Sequence, residues 1–559
     1  MLASNNVKVI KGSKAIFETL KLLGVDTVFG YPGGIVLDIY NELYNQNDIR
    51  HVLVRHEQSA VHAAEGYART TGKCGVVVVT SGPGATNTVS GIVNAYLDGY
   101  PLVVLTGQVF KDLIGKDAFQ EADICDITKS CTKNVYQISS AADIQRTLAD
   151  AFKTANSGKK GPVVVDLVRD IFSQEVEFDY NLFDEFDKFK TEQFFENSYE
   201  QLVNVFINKL QKSNRPVIVA GGGVVHSKAE QELLMFSKSL NIPVVDTMMG
   251  MGTFPQYDLN YFGMIGIFGD RAANQIIRKA DLIISLGARF NDRITCMFRD
   301  LDLSEKFVQV DININENSRN IKASEFICAD IKQFLAQINL MQLSTKVDFH
   351  KWLLCARDYK MLNVKQVAIS NMLQSFEVIR RIDEFTKNKN VIFTSEVGQH
   401  QLWAVKNLTF DSERRILVSG GAGTMGFGLP AAIGAAIAGL DKNKSDIKYD
   451  SVVCITGDGS FQMGLHELAT CVDNNLDIKI MILNNGYLGM VRQLQEKFCN
   501  CCYSQTKISG PDFVKLAQSY GVNALRVSSV NEIDNALEQA FVHKGPFIVD
   551  FIVEPMELL

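Results

Sequence analysis

The chain has 559 residues, 46% of them hydrophobic and 21% charged, with a formal net charge of −7. That length exceeds what one hydrophobic core supports, so two to four domains are expected, and the acidic balance with no basic stripe argues against a nucleic-acid partner. No apolar run approaches the roughly 20 residues of a membrane helix, and the start, MLASNNVKVIKGSKAI, lacks the apolar core of a signal peptide, so a cytoplasmic protein is expected. The eleven cysteines are odd in number and without paired spacing, as suits reduced thiols. Cys499, Cys501 and Cys502 cluster, but no second Cys or His pair stands at zinc spacing, so free thiols are expected there.

In chain order, 11–23 has helical apolar spacing (Ile16, Leu20, Leu23) and stops at Gly24. A short strand at 27–30 runs into Tyr31-Pro32-Gly33-Gly34. The strand at 51–54 delivers Arg55-His56-Glu57 to its carboxyl end, and an alanine-rich helix follows at 59–70. A β-branched strand at 74–80 ends in Ser81-Gly82-Pro83-Gly84, before a helix at 85–98 and a buried strand at 102–105. Strand, turn and helix repeated this way predict an open parallel sheet with helices on both faces, with its site at the carboxyl ends of strands. Glu57 stands at such an end, although a solvated glutamate on a helix dipole would look the same.

Residues 174–200 are rich in Phe, Asp, Glu and Lys and read as a surface linker. A second αβ region opens with the strand at 216–220 and Gly221-Gly222-Gly223, a weak phosphate signal that lacks the full dinucleotide fingerprint. It continues through strands at 243–247 and 281–286, then Gly287-Ala288-Arg289-Phe290-Asn291-Asp292-Arg293, and closes at Asp311 and Asp330. A helical, charged linker at 345–366 precedes a third αβ region. There the strand at 391–393 leads to Glu396-Val397-Gly398-Gln399-His400. A glycine-rich loop at 418–426 opens a helix at 429–438, and its free N–H groups suit an anion.

The densest signal is VVCITGDGSFQMGLHELATCVDNNLDIKIMILNNGYLGM, residues 452–490. A buried strand ends in Gly457-Asp458-Gly459, a helix is predicted over 461–472, and a second strand ends in Asn484-Asn485. A right-handed crossover puts both strand ends on one sheet edge, so Asp458 and Asn485 meet there. Two hard oxygen ligands beside bare backbone suit Mg²⁺ holding a diphosphate. GDG alone would be an ordinary βαβ turn.

GDG, then a helix, then a strand ending in Asn-Asn resembles the thiamin diphosphate motif. FGYPGG, RHEQSAVHAAEGYART, VVVVTSGPGATN, DGYPLVVLTGQV, GKDAFQEADICDITKSCTK and GPVVVDLVRD resemble the pyrimidine-binding domain of the acetohydroxyacid (acetolactate) synthases. The middle region resembles their central, FAD-binding domain. The resemblance covers nearly the whole chain. It implies an α/β fold of three doubly wound parallel-sheet domains: pyrimidine-binding at 1–175, central FAD-binding type at 195–345, and diphosphate- and Mg-binding at 367–559. It also implies thiamin diphosphate, Mg²⁺ and a structural FAD as cofactors.

By the same resemblance, Glu57 meets N1′ of the aminopyrimidine, and Gly34, Pro83 and Asn87 line that end of the cofactor. Val397, Gln399, His400, Gly423, Met425, Gly457, Gly459, Ser460 and Met490 belong to the thiazolium and diphosphate end, with Asp458, Asn485 and the Tyr487 carbonyl as metal ligands. A core methionine is the plain alternative for Met425. Gly222 and Arg289 would lie near the flavin diphosphate, and Asp311 and Asp330 near its adenosine. Arg293 would bind the acceptor carboxylate, where bidentate geometry favours arginine; a surface salt bridge is the alternative. Gly34, Phe119, Gln120, Lys133, Met490 and Leu494 would line the acceptor pocket, with Glu57, Gln120 and Arg293 as the catalytic residues.

The implied reaction decarboxylates pyruvate and passes its two-carbon unit to a second 2-keto acid, either pyruvate or 2-ketobutyrate, as in branched-chain amino-acid biosynthesis. The implied partners are a second copy of the chain, as a homodimer or tetramer, with room for a regulatory small subunit. Four departures from the family stand out. Phe268 replaces a histidine in Gly266-Ile267-Phe268-Gly269, Leu494 replaces a tryptophan over the acceptor, Ile35 replaces a small residue, and the sequence stops at Leu559, short of the family's longer tail. Losing an aromatic wall could erase a preference between acceptors differing by one methylene, which is worth only about 1–3 kcal/mol. The alternatives are transfer to a larger ketone, such as a nucleotide-linked keto-sugar, or a non-catalytic partner that keeps the fold.

Overall fold

A computed structural model of the chain describes residues 7–182, 199–341, 347–363, 372–440 and 449–559. The expected domain edges at 195, 345 and 367 fall outside the described residues. Three six-stranded parallel sheets carry the fold. The first contains β2 (Thr27–Tyr31), β3 (Arg50–Leu53), β4 (Gly75–Val79), β5 (Leu102–Gln108), β6 (Asn134–Ile138) and β7 (Pro162–Val168), in the order β3-β2-β4-β5-β7-β6. Its middle strands are continuous apolar runs, Val-Val-Val-Val in β4, because both faces of a parallel sheet are covered.

The last sheet contains β15 (Val391–Ser395), β16 (Arg415–Val418), β17 (Ser451–Gly457), β18 (Ile478–Asn484), β19 (Asn523–Val527) and β20 (Phe547–Ile552), in the order β16-β15-β17-β18-β20-β19. Both sheets therefore follow one plan, 2-1-3-4-6-5. The central sheet differs. Its strands are β9 (Pro216–Ala220), β10 (Val244–Asp246), β11 (Tyr261–Met264), β12 (Leu282–Leu286), β13 (Phe307–Asp311) and β14 (Glu325–Cys328), in the order β11-β10-β9-β12-β13-β14. That is the 3-2-1-4-5-6 order of dinucleotide-binding sheets. In all three, the order reverses beside the first strand, and ligands of open α/β sheets sit at that point beyond the strand ends.

The chain forms two compact units, and the first and last sheets share one of them: residues 1–192, 392–401 and 417–558. Their common core is built around two helices, Glu57–Thr71 and Gly428–Leu440. The second is apolar on every side (Leu429, Ala431, Ile433, Ala435, Ile437) and buried from Gly428 to Ala438, as a helix covered all round must be. The two pack antiparallel, because Gly66 lies against Ala431 while Gly434 lies against Ala63 and Tyr67. A Cβ on Gly66 would fall 2.8 Å from the Ala431 Cα, and one on Gly434 would overlap the Ala63 carbonyl oxygen.

Three expected elements are built differently. The single helix at 85–98 is two, Pro83–Thr86 and Val89–Asp98. The helix at 461–472 is a short helix Asp458–Phe461, a 3₁₀ turn Leu465–Glu467 and a helix Leu468–Asp473, interrupted at Gly464, whose φ of −126° leaves the helical well. The start of the expected 174–200 linker is a strand, β8 (Glu175–Asp179), antiparallel to β1 (Val7–Lys11), with Phe178 buried. Charged neighbours masked that alternation; residues 183–198 lie outside the described residues. Of the second linker, 347–363 contains the helix His350–Arg357, and the remainder lies outside the described residues. No described helix is long and apolar enough to cross a membrane.

The helix contact gives a direct test. Gly434→Ala adds one methyl where a backbone oxygen already stands, and overpacking of this kind costs about 1–3 kcal/mol. The guanidinium midpoint should fall accordingly. Equal stability of Gly434→Ala and wild type would refute the close approach.

Candidate active site

The first half of the site lies where β2 and β4 meet. Glu57 is the first residue of its helix, half-buried, and its Oε2 accepts a hydrogen bond from Asn87 Nδ2 at 2.9 Å. Its Oε1 faces the bare backbone of Gly84, where a Cβ would stand 3.5 Å away. His56 caps the helix by accepting the Gln58 N–H at 3.1 Å. The Tyr40 hydroxyl is pushed up by burial and by the charge of Glu57, which places it in the same environment. Pro83 opens the Pro83–Thr86 helix, and Gln120 stands over Gly82 with φ of 60°, its Cα 2.9 Å from where a Gly82 Cβ would be. Gly34 is open, with nothing within 4 Å of its Cβ position, and Ile35 turns toward Gly107 instead of outward.

Glu57, Gly84, Asn87, Pro83 and Gln120 are thus brought together. Phe119 is 89% exposed beside them. Lys133 turns away to hydrogen-bond the Ser157 carbonyl and, at 3.1 Å, the Ser157 hydroxyl. Its ammonium is lowered to about 8 by burial and then by Lys159. Two residues that drew no attention in the sequence belong here: the Thr80 and Ser81 hydroxyls are buried at the end of β4 without a hydrogen-bond partner. Unpaired buried hydroxyls at a switch point are what a ligand satisfies.

The second half lies where β15 and β17 meet. Asp458 is 2% exposed at the end of β17; burial raises its carboxyl to about 6 against the N–H groups of Asp458, Gly459 and Gly486 and the charge of His400. Asn485 Oδ1 accepts the Tyr487 N–H at 2.9 Å, while its Nδ2 points to Gln399 Oε1 at 3.4 Å. Gln399 in turn donates to Gln493 at 2.8 Å and to the Glu557 carbonyl at 3.1 Å. The His400 ring packs against Gly457; its Nε2 is 3.4 Å from Glu396 Oε1 but is not aligned as a hydrogen bond. Val397 faces Gly423, Gly459 lies against Leu488, Ser460 is buried, and Met425 and Met490 are half-buried. Leu494 is 39% exposed, five residues into the helix Gly489–Phe498 whose first residue touches Gln399 and Asn485.

One lone buried carboxylate with an amide oxygen beside it fits a magnesium ion completed by phosphate oxygens. It does not fit a zinc or iron cage, and no cluster of three His, Cys, Asp or Glu that could hold a metal occurs among the described residues. Sequence reasoning also missed Arg492, wholly buried, which donates to the Glu557 carbonyl at 3.2 Å and to Glu496 at 3.0 Å. The expected anion site in the 418–426 loop needs correcting. The Gly420 and Gly421 N–H groups donate to Asp98 at 3.0 and 2.7 Å, Thr424 N donates to Ser419 Oγ, and Gly428 N at the helix start donates to Glu396. Carboxylates of the chain occupy three of those donors and the Ser419 hydroxyl a fourth.

In the central sheet, Gly221 and Gly223 lie against Gly287, so the turns after β9 and β12 meet backbone to backbone at the switch point. Gly222 faces Met249. Asp311 ends β13 and accepts the Asn313 N–H at 2.9 Å, while Asp330 caps the helix Ile331–Leu340 through Gln333 N at 3.0 Å. Arg289 follows β12 by three residues. Phe268 is half-buried in a loop whose neighbour Ile267 N donates to the Arg293 carbonyl at 2.8 Å. The Arg293 side chain is 67% exposed, with Asp292 at 3.9 Å. Asp246, at the end of β10, is a further missed residue: it accepts from Tyr261 OH at 3.0 Å, and its other oxygen is buried without a partner. Cys499, Cys501 and Cys502 are exposed free thiols.

Three models of thiamine pyrophosphate enzymes match the chain: the N-terminal TPP binding domain over residues 10–127, the central domain over 203–338 and the C-terminal TPP binding domain over 396–551. The acetolactate synthase large subunit of Haemophilus influenzae is 37% identical over 558 residues, covering 99% of this chain and 96% of its own length. That of Lactococcus lactis is 39% identical, covering 98% and 94%, and the isozyme 3 large subunit of Escherichia coli is 38% identical, covering 96% and 92%.

Burial raises the Asp246 carboxyl to about 8, with the Tyr261 hydrogen bond opposing and Asp270 adding to the shift. The folded chain therefore holds this proton more firmly than the unfolded chain does, and stability falls as pH rises from the ordinary carboxylate range through about 8. Asp246→Asn keeps the neutral shape and should flatten the decline of the thermal midpoint of the cofactor-free protein between about pH 5 and pH 9. Parallel slopes in the two proteins would remove Asp246 as the cause.

Proposed function

The chain belongs to the acetolactate synthase large-subunit family of thiamine pyrophosphate enzymes, and we propose that it joins a two-carbon unit from pyruvate to a second 2-keto acid. The observation that carries the reading is the pair of matching half-sites, Glu57 at one switch point and Asp458 with Asn485 at the other. Thiamin diphosphate, when bound, supplies the nucleophilic carbon and the electron sink that make loss of carbon dioxide from a 2-keto acid feasible. Asn87 fixes Glu57 Oε2, which leaves Oε1 over Gly84 as the atom that shares a proton with the aminopyrimidine ring. Asp458, the Asn485 amide oxygen and the Tyr487 carbonyl would hold Mg²⁺. The unaligned His400 Nε2, buried without a hydrogen-bond partner, has capacity left for a diphosphate oxygen.

We read the two halves as serving one cofactor from two copies of the chain. Glu57 begins its helix, while Gly428, just after Met425, stands level with Arg69 in the antiparallel pair, about 18 Å further along the axis at 1.5 Å per residue. Pyrimidine and thiazolium are joined through one carbon, so Glu57 of one copy and Met425 of another would meet the same cofactor. This supports a homodimer or a larger assembly of such pairs. The relatives' designation as large subunits supports a regulatory small subunit as a further partner.

The dinucleotide strand order and the Gly221–Gly223–Gly287 contact support a structural FAD in the central unit, with Gly222, Arg289 and Asp311 toward it. Asp330 is committed to a helix cap and has one oxygen left for that role. We propose domain limits of 1–175, 195–345 and 367–559, each span holding one of the three sheets, with β8 joined to the first through β1, and eleven free thiols favour a reducing, cytoplasmic compartment. Gln120, Phe119 and Leu494 are proposed to line the acceptor pocket and the exposed Arg293 to bind a carboxylate, whereas Lys133 is spent on Ser157; branched-chain amino-acid biosynthesis is the setting. Transfer to a larger ketone is not favoured, since the relatives are named for acetolactate.

Purified protein with thiamin diphosphate, Mg²⁺ and pyruvate should form acetolactate. Glu57→Gln should lower kcat at least about 10²-fold, with the thermal midpoint within about 2 °C of wild type. No acetolactate from wild type ends the assignment, and an active Glu57→Gln ends the role of that residue. Leu494→Trp, at a side chain already 39% exposed, should raise the preference for 2-ketobutyrate over pyruvate about tenfold in a competition assay. An unchanged product ratio would show that position 494 does not face the acceptor.

A further inference from the structure

Four side chains from the first half of the chain form a buried polar cluster beneath the glycine-rich loop of the second half. Arg69, Glu65 and Asp98 are 4%, 0% and 0% exposed at their side chains, and Asn94 is fully buried. Arg69 pairs with Glu65 through Nε at 3.0 Å and with Asp98 through Nη2 at 2.7 Å. Burial raises the Glu65 carboxyl despite that pairing; burial works against the Arg69 charge, but Glu65, Tyr100 and Asp98 together hold it firmly protonated.

The unusual feature is where the remaining capacity goes. Arg69 Nη1 donates to the Val418 carbonyl at 2.9 Å, and Asp98 accepts from the Gly420 and Gly421 N–H groups, one on each oxygen. Asn94 donates to Glu65 at 2.8 Å and accepts from the Ser419 and Thr424 hydroxyls. Beyond the loop, the Phe427 ring lies 5.2 Å from the guanidinium, which also sits 4.2 Å over Tyr100. The loop is thus held at 418–421, at Thr424 and at 427, so that fixed residues bracket Gly423 and Met425, both half-buried. Buried charges of this kind are costly to strand, so removing one partner is felt by the others.

We propose that Asp98, with Arg69 and Glu65, is a positioning residue for the Gly423–Met425 tip: it sets the shape in which that tip meets the cofactor. Arg69 and Glu65 lie on the helix that begins with Glu57. One rigid element therefore carries the pyrimidine-end glutamate and, about 18 Å away, the anchor of the loop assigned to the thiazolium end. The proposal rests on the thiamin diphosphate reading.

The test uses the full-length chain and Asp98→Asn, which keeps the shape but removes the charge and one acceptor. Hydrogen exchange of the cofactor-free protein should be about tenfold faster in the 418–427 segment, with the 57–71 helix unchanged. Calorimetric titration with thiamin diphosphate and Mg²⁺ should show a Kd weakened about tenfold. Unchanged loop exchange, exchange accelerated equally in loop and helix, or a loosened loop with unaltered Kd would each overturn the proposal. If Asp98→Asn does not fold, Ser419→Ala, which deletes the hydroxyl holding Thr424 N, is judged by the same two readouts. A wild-type chain that binds no thiamin diphosphate overturns the functional reading itself, before any variant is compared.

Discussion

Everything around the candidate site depends on how closely two helices approach. Gly66 and Gly434 let the Glu57–Thr71 and Gly428–Leu440 helices meet backbone to backbone, with side chains absent at both crossing points. Such contact fixes both the rotation and the axial register of the pair, since neither helix can slide without driving a carbonyl into a Cα. That register decides which ends of the two sheets face one another. It sends Glu57 to one end of the pair and the glycine-rich loop to the other.

The constraint accounts for how anionic groups are used. Helix N-termini and glycine-rich loops attract anions, and here Asp98 and Glu396 have taken the donors of the 420–421 turn and of the Gly428 helix start. A carboxylate inside the protein costs desolvation, but it gives the loop a fixed shape that a mobile ligand alone could not impose. At the β15 and β17 strand ends, Asp458, Asn485 and His400 retain capacity. The Glu57 end retains the hydroxyls of Thr80 and Ser81. The first and last sheets thus both keep unsatisfied groups at the switch point.

The departures from the family leave the groups of this machinery in place. Ile35 packs onto Gly107, Leu494 stands partly exposed beyond the helix start that touches Asn485, and Phe268 belongs to the loop bonded to the Arg293 backbone. None replaces a group that holds Glu57, Asp458 or Asn485. A change in acceptor preference is therefore compatible with an unchanged first half of the reaction.

Much was legible from the residues. Alternating apolar runs and glycine turns predicted parallel sheets, and the strand-end positions of Glu57, Asp458 and Asn485 followed from chain connectivity, because in such sheets every strand ends on the same edge. Thr80, Ser81, Asp246 and Arg492 carried no comparable signal, since a hydroxyl or charge in an apolar run looks alike whether its partner is backbone, solvent or ligand. The broken helix at 458–473 escaped because its apolar spacing continues through Gly464, and spacing alone does not register a φ that leaves the helical well. Sequence alone determined the local elements, the order of the half-sites and the residues able to ligate, because these depend on neighbours along the chain. Only the tertiary structure decided that the glycine-rich loop spends its N–H groups on Asp98, and that Glu57 and Met425 of one chain stand apart. Those outcomes depend on contacts between residues more than 300 positions distant, which no local pattern encodes.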